Sequence, residues 1–208
     1  MNLLVVAATD YEIKTFIENN KSADVLITGV GIPATVFHIT KQLAQKKYDL
    51  VIQAGIAGVF TNKLETGRVA MIETDTFGDI GIDEKGNFKT LFETGLAHEN
   101  DFPFSNGCLL NEHEYFKHPS LSVVKGITVN KISDNEIQIK QIQEKFGADI
   151  ESMEGAAFHY VCLHQKIKFL QLRSISNIAG ERDKTKWKMK EAIINLNIEL
   201  KKLIKNIM

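Results

Sequence analysis

The segment Glu151-Ser152-Met153-Glu154-Gly155-Ala156-Ala157 sets two carboxylates and a thioether ahead of a run of small residues. Small residues let a backbone and a ligand approach closely, and a helix opening there turns its positive end toward the acids. One strand's length later, Arg173-Ser174-Ile175-Ser176-Asn177 ends an apolar segment in polar side chains. Ligands of α/β proteins sit at the carboxyl ends of parallel strands, so both segments are expected to face one crevice.

A third acid belongs to this set. Thr9-Asp10-Tyr11-Glu12 follows the first apolar run and opens a helix. Local grounds favour a capping box, Thr9 as N-cap and Glu12 reaching back from N3. The functional reading makes Glu12 a general base on water, since a carboxylate in a closed cleft has a raised pKa. Gly29-Val30-Gly31-Ile32-Pro33-Ala34 fits a dinucleotide fingerprint, but its acid, Asp49, stands before a strand and about 15 Å from the required end at strand rise. Gly29 and Gly31 are better read as a tight turn beside a smaller ligand. In Gln53-Ala54-Gly55-Ile56-Ala57-Gly58, tight packing and contact of Ala57 with a base or sugar are equally supported. His113 and His118 are one residue too far apart for a zinc helix, about 140° around its axis, so no metal is assigned. Together the Met-Glu pair and the Ser-Asn strand end read as a nucleoside site.

These residues need a scaffold. Apolar, β-branched runs occur at Leu3 to Ala8, Val25 to Thr28, Leu50 to Gln53, Val69 to Glu73, Val123 to Val129 and Phe169 to Ser176. Helical patterns cover Pro33 to Lys47, Asn135 to Phe146, Glu154 to Gln165 and a stripe from about Trp187 to Ile207. This alternation predicts an α/β fold, a single-domain three-layer αβα arrangement with a mixed, largely parallel central sheet over residues 1–208. Between Thr74 and Asn111 the pattern breaks for longer than an ordinary connector, which marks a functional excursion.

Composition narrows the function. With 25 basic and 26 acidic side chains dispersed along 208 residues, no basic face for nucleic acid stands out. Only Arg68, Arg173 and Arg182 supply the preferred bidentate partner of phosphate, which argues against a polyphosphate ligand. Cys108 and Cys162 lack metal spacing and fit reduced thiols in the cytoplasm. No apolar run approaches a membrane span, so neither export nor membrane insertion is expected.

The assembled motifs, from Ala7 to Glu12 through Gly29-Val30-Gly31-Ile32-Pro33, Gly55-Ile56-Ala57-Gly58, Phe77-Gly78-Asp79-Ile80-Gly81, Glu151 to Phe158 and Arg173 to Asp183 with Trp187, resemble the purine nucleoside phosphorylase/nucleosidase superfamily, and within it the futalosine hydrolase subfamily. The resemblance implies a nucleoside phosphorylase-like fold and cleavage of a ribosidic C–N bond, releasing hypoxanthine from futalosine for menaquinone biosynthesis. It implies no metal or organic cofactor, a small-molecule nucleoside as ligand, and a homodimer or larger homo-oligomer with Phe102 and Phe104 of the excursion at an interface.

By the same resemblance Glu12 activates water, Glu154 holds two ribose hydroxyls, and Met153 packs under the sugar as an adaptable surface. Adenine-specific members carry aspartate where this chain has Asn177. An asparagine accepts from a protonated N7 and donates to a 6-oxo group, which suits hypoxanthine and leaves the N7 proton to another source. Phosphorylases hold phosphate with early arginines, and none precedes Arg68, so water is the expected nucleophile. Arg173 is open to a place in the site or in a structural salt bridge. For the carboxylated aromatic arm of futalosine, Arg182 or Lys184 is expected as anion contact and Trp187 or Phe77 as apolar wall. A methylthioadenosine/S-adenosylhomocysteine or inosine nucleosidase, and a non-catalytic nucleoside-binding protein, remain alternatives.

Overall fold

The computed structural model describes residues 1–20, 22–60, 63–112, 121–132 and 134–207. Its strands are β1 (Leu3–Ala7), β2 (Asp24–Ile27), β3 (Leu50–Val59), β4 (Val69–Asp75), β5 (Gly81–Glu84), β6 (Asn87–Thr90), β7 (Leu109–Leu110), β8 (Ser122–Thr128), β9 (Ile150–Ser152) and β10 (Phe169–Ile178). The helices are α1 (Asp10–Asn19), α2 (Ile32–Gln45), α3 (Glu136–Phe146), α4 (Gly155–His164) and α5 (Met189–Ile207). None among the described residues is long and apolar enough to cross a membrane.

Every residue of β1 is buried, because helices cover both faces and such a strand reads as a continuous apolar run. Leu3, Val5 and Ala7 join Leu50, Ile52, Phe16, Leu196 and Leu200 in the core under α1 and α5. Leu4 and Val6 point the other way, to Val51, Ile39, Phe158 and Val161 beneath α2 and α4. The period of two along one strand thus divides the three layers. The architecture is α/β with a mixed, mostly parallel sheet: β1 pairs in parallel with β2 and β3, β3 with β10, β4 with β8, and β8 with β9.

β3 runs past Gln53, where the sequence pattern ends, to Val59. Its first half pairs with β1 and its last residues with β9, antiparallel, while β10 follows it from Val51 to Val59. Because β10 also pairs with β4, and β4, β8 and β9 pair in succession, these five strands close into a ring. Ala57, Val59, Ala70, Ile72, Val124, Ile150 and Ile175 form a third core there. Neither the closure nor β9 is visible in the sequence pattern, since three residues give no usable period. The excursion holds the hairpin β5–β6 and the short β7, so it is less irregular than its composition suggests. The segment with His113 and His118 lies outside the described residues.

The start of α4 rests on a buried polar chain. The Ala156 N–H donates to Thr128 Oγ1 at 2.7 Å, and that hydroxyl donates to Asp75 Oδ1 at 2.9 Å. Gln171 Nε2 donates to Asp75 Oδ2 at 3.2 Å. Burial raises the Asp75 carboxyl to about 6 despite these donors. Gly155 has no room for a side chain, because a Cβ there would overlap Asp75 Oδ2 and Gln171 Nε2. Gly155→Ala is therefore expected to cost roughly 1–3 kcal/mol by overpacking. Thermal denaturation should show a lowered Tm; an unchanged one would mean that α4 lifts freely from this network.

Candidate active site

Glu12 lies in the third position of α1 and is 7% exposed. Its Oε2 accepts from the Thr9 N–H and the Thr9 hydroxyl, both at 3.0 Å, and its Oε1 accepts from the Ile56 N–H at 3.1 Å. Burial pushes its carboxyl above the ordinary value; the Arg173 guanidinium and the Ile56 and Thr9 N–H groups oppose that rise. Glu12 is thus tied to the helix start and to the middle of β3 at once.

Just after it α1 is kinked, with Ile13 at φ −124° and ψ 21°. The helical bond from the Phe16 N–H to the Glu12 carbonyl is replaced by an inserted amide. Asn197 of α5 accepts from the Phe16 N–H at 2.8 Å and donates to the Glu12 carbonyl at 2.9 Å. A side chain inserted into the ladder is an established cause of a kink, and here it fixes the residue that carries the acid.

Glu154 precedes α4 as its N-cap residue and is also buried. Its Oε1 accepts from the Gly31 N–H at 3.0 Å, and Gly31 has φ 93°, a conformation suited to glycine. Glu154 Oε2 faces Arg173 Nη1 at 3.5 Å, a pair with side chains 7% and 1% exposed. Arg173 Nη2 donates to Gln53 Oε1 at 2.9 Å. The guanidinium lies over Gly55, whose missing side chain makes its space: a Cβ there would overlap Arg173 Nη1 and stand 3.1 Å from Glu12 Oε1. One cation, two acids and two glycines thus meet beside the middle of β3 and β10, where Gly55 pairs with Arg173, rather than at the strand ends that the sequence suggested. Arg173 is in the candidate site, and its partner is one of the two acids.

The other expected residues fall around this cluster. Met153 is half-buried beside Glu154. Ala57 is buried in β3, opposite Ile175, and belongs to the core inside the strand ring. Asn177 follows a bulge in β10 and pairs with Gly58. Its Oδ1 accepts from the Ser176 hydroxyl at 2.7 Å and its Nδ2 donates to the Ile178 carbonyl at 2.8 Å. Phe77 bridges to Thr128 and lines a cavity of about 810 Å³ under the excursion, with Ile32, Phe92, Phe104 and Tyr160. Arg182 does not line that cavity; it is exposed and stands 6.0 Å above the Trp187 ring.

Sequence reasoning missed Asn197, one of three asparagines in α5 and the one whose side chain is buried against α1. His159 is buried; its Nδ1 meets the Leu109 carbonyl at 3.0 Å and burial lowers its pKa to about 4.

A model of the phosphorylase superfamily matches residues 5–207. A futalosine hydrolase of Thermus thermophilus is 28% identical over 182 residues, 86% of this chain and 80% of that protein. Among solved structures, a 5'-methylthioadenosine/S-adenosylhomocysteine nucleosidase of Helicobacter pylori, in complex with butyl-thio-DADMe-Immucillin-A, has a TM-score of 0.81 at 15% identity, covering 99% of this chain and 98% of that one. The futalosine hydrolase of Helicobacter pylori strain 26695 has a TM-score of 0.80 at 16% identity, with 99% and 98% covered. At these identities the two structures speak for the fold alone.

Two substitutions probe the cluster. Arg173→Met would leave both acids without their cation and should cost about 3–5 kcal/mol, the penalty for breaking a buried pair; a denaturation midpoint equal to wild type would remove Arg173 from this role. Asn197→Ala would strand a buried N–H and a carbonyl, a loss of roughly 2–4 kcal/mol in all. If α1 straightens instead, stability is kept but Glu12 shifts, so unchanged stability together with unchanged turnover would refute the clamp.

Proposed function

The chain belongs to the phosphorylase superfamily, and within it we propose that the protein is an N-ribosidic hydrolase, a single domain over residues 1–208 that splits futalosine into hypoxanthine and dehypoxanthine futalosine for menaquinone biosynthesis. The observation that carries this reading is the buried Glu12–Arg173–Glu154 cluster. Its cation already faces two carboxylates, so a phosphate nucleophile would meet no unspent positive charge there. Neutral water suffers no such repulsion. The futalosine hydrolase relative supports the choice of substrate.

Cleavage proceeds as follows in this reading. The C1′–N9 bond stretches, its electron pair moves to the purine, and the ribose becomes oxocarbenium-like. Glu154, oriented by the Gly31 N–H, accepts hydrogen bonds from the ribose hydroxyls and its charge favours the cationic sugar. Glu12 takes one proton from water while the oxygen bonds to C1′; its raised pKa makes it a stronger base than a solvated glutamate. Met153 packs under the ribose. Asn177 turns its amide from Ile178 to the 6-oxo group, and the polar pattern of adenine mismatches it. Ala57 borders the base and Phe77 offers its ring to the aromatic arm; Arg182, outside the cavity that Phe77 lines, is not assigned to the arm's carboxylate.

Homo-oligomeric assembly and a cytoplasmic setting belong to the same proposal. Phe102 is 64% exposed and suits an interface. Phe104 is turned inward, its ring 5.3 Å from that of Phe92. The two cysteines are unpaired.

The test is incubation with futalosine, with and without phosphate. Hypoxanthine and free sugar should appear at the same rate in both. Glu12→Gln should lower kcat by about 10²–10⁴-fold, the usual worth of a general base, with little change in futalosine affinity. Release that requires phosphate would make the protein a phosphorylase. Preference for methylthioadenosine or inosine would select those nucleosidases, and binding without turnover in wild type would leave a nucleoside-binding protein.

A further inference from the structure

The hydrolysis above leaves one proton unsupplied. A purine departs far more readily when N7 is protonated, and Asn177 has no proton of the required acidity to give. The candidate donor must be buried, near Asn177 and without a firm partner of its own.

The sheet register supplies one. Gly58 of β3 pairs with Asn177 on one side and with Glu151 of β9 on the other. Directly paired residues project to the same face, so Glu151 and Asn177 flank a position that has no side chain. A Cβ at Gly58 would stand 3.3 Å from Glu151 Oε1 and 3.4 Å from Asn177 Nδ2. Glu151 is 4% exposed. Its carboxyl group has no hydrogen-bond partner among the described residues. The slot lies three residues along β3 from Gly55, about 10 Å at strand rise. That is a separation a nucleoside can bridge, with its sugar at Glu154 and its base at Asn177.

Resting on the nucleosidase reading, we propose that Glu151 is the general acid of the reaction, donating its carboxyl proton to N7 of the leaving 6-oxopurine while Asn177 holds the 6-oxo edge. The C1′–N9 electron pair passes to the base, N7 gains the Glu151 proton, and hypoxanthine leaves neutral. Water gives its hydroxyl to C1′ and its proton to Glu12. Transfer of one proton from Glu12 to Glu151 through solvent restores both groups. Burial pushes the Glu151 carboxyl up to about 7, and Arg182, the charged group facing it, holds it back from rising further. An acid poised there is protonated in a large fraction of molecules near neutral pH and still gives its proton readily.

The experiment compares wild type and Glu151→Gln on futalosine and on futalosine methylated at N7. The methylated base already carries its positive charge and needs no proton. Glu151→Gln should lower kcat on futalosine by about 10²–10³-fold while its loss on the methylated substrate stays within about tenfold. Wild-type kcat on futalosine should fall as pH rises above about 7, and the variant should lose that limb. Equal losses on both substrates would make Glu151 a binding or structural group and overturn the proposal, as would unchanged turnover. If the methylated compound is refused by both proteins, the pH limb decides alone. A wild type that cleaves no 6-oxopurine nucleoside overturns the nucleosidase reading, and this inference with it.

Discussion

Two carboxylates cannot be buried side by side without a cation, and Arg173 is that cation. Taking each ion out of water costs several kcal/mol, which is recovered only when geometry and hydrogen bonds are favourable. Here the guanidinium lies against Glu154, is held by Gln53, and acts on Glu12. The ions come from α1, the N-cap of α4 and β10, so one charge cluster joins three stretches of chain. Gly55 is the geometric condition for it, because any side chain there would occupy the guanidinium's place.

β3 is the spine on which this arrangement is laid out. It begins as an interior strand of an open sheet and ends as one stave of a closed ring, exchanging β1 for β9 as neighbour. A change of partner within one strand needs a bend, and glycine at 55 and 58 permits it. The same two glycines leave the slots into which Arg173 and, farther along, Glu151 and Asn177 lean. Fold closure and site construction therefore use the same residues. The bulge at Ser176 shifts the register of β10 just before Asn177 and re-aims that side chain.

Much of this was legible from local pattern. The central strands, the helices α2 to α5 and the α/β class follow from period and apolar runs, while the phosphorylase-like architecture follows from the resemblance that the motifs carry. Glu12 and Glu154 were visible because an acid at a helix start after a strand is a local signal, whether for capping or for chemistry. What escaped was everything decided by register across strands. Arg173 was open to a place in the site or in a structural salt bridge until β10 was laid against Gly55. Glu151 carried no assigned role until β9 was set beside Gly58. Asn197 lies 185 residues from the carbonyl it holds, and no spacing rule reaches that far.

The capping and catalytic readings of Glu12 are compatible, for a physical reason. Two hydrogen bonds from Thr9 fix one oxygen, and the Ile56 N–H fixes the other. Those bonds favour the charged form and hold the carboxylate in a single orientation, while burial favours the neutral form. Burial alone would leave a protonated acid, and the donors alone would leave a carboxylate too weakly basic to take a proton from water. Their opposition gives a group that is both ionisable and basic. The capping box also removes the freedom that a base on a flexible side chain would lose on each turnover. The kink held by Asn197 then sets the direction of the first turn of α1 against β3. A local signal for a helix start thus becomes part of the proposed base through what packs around it.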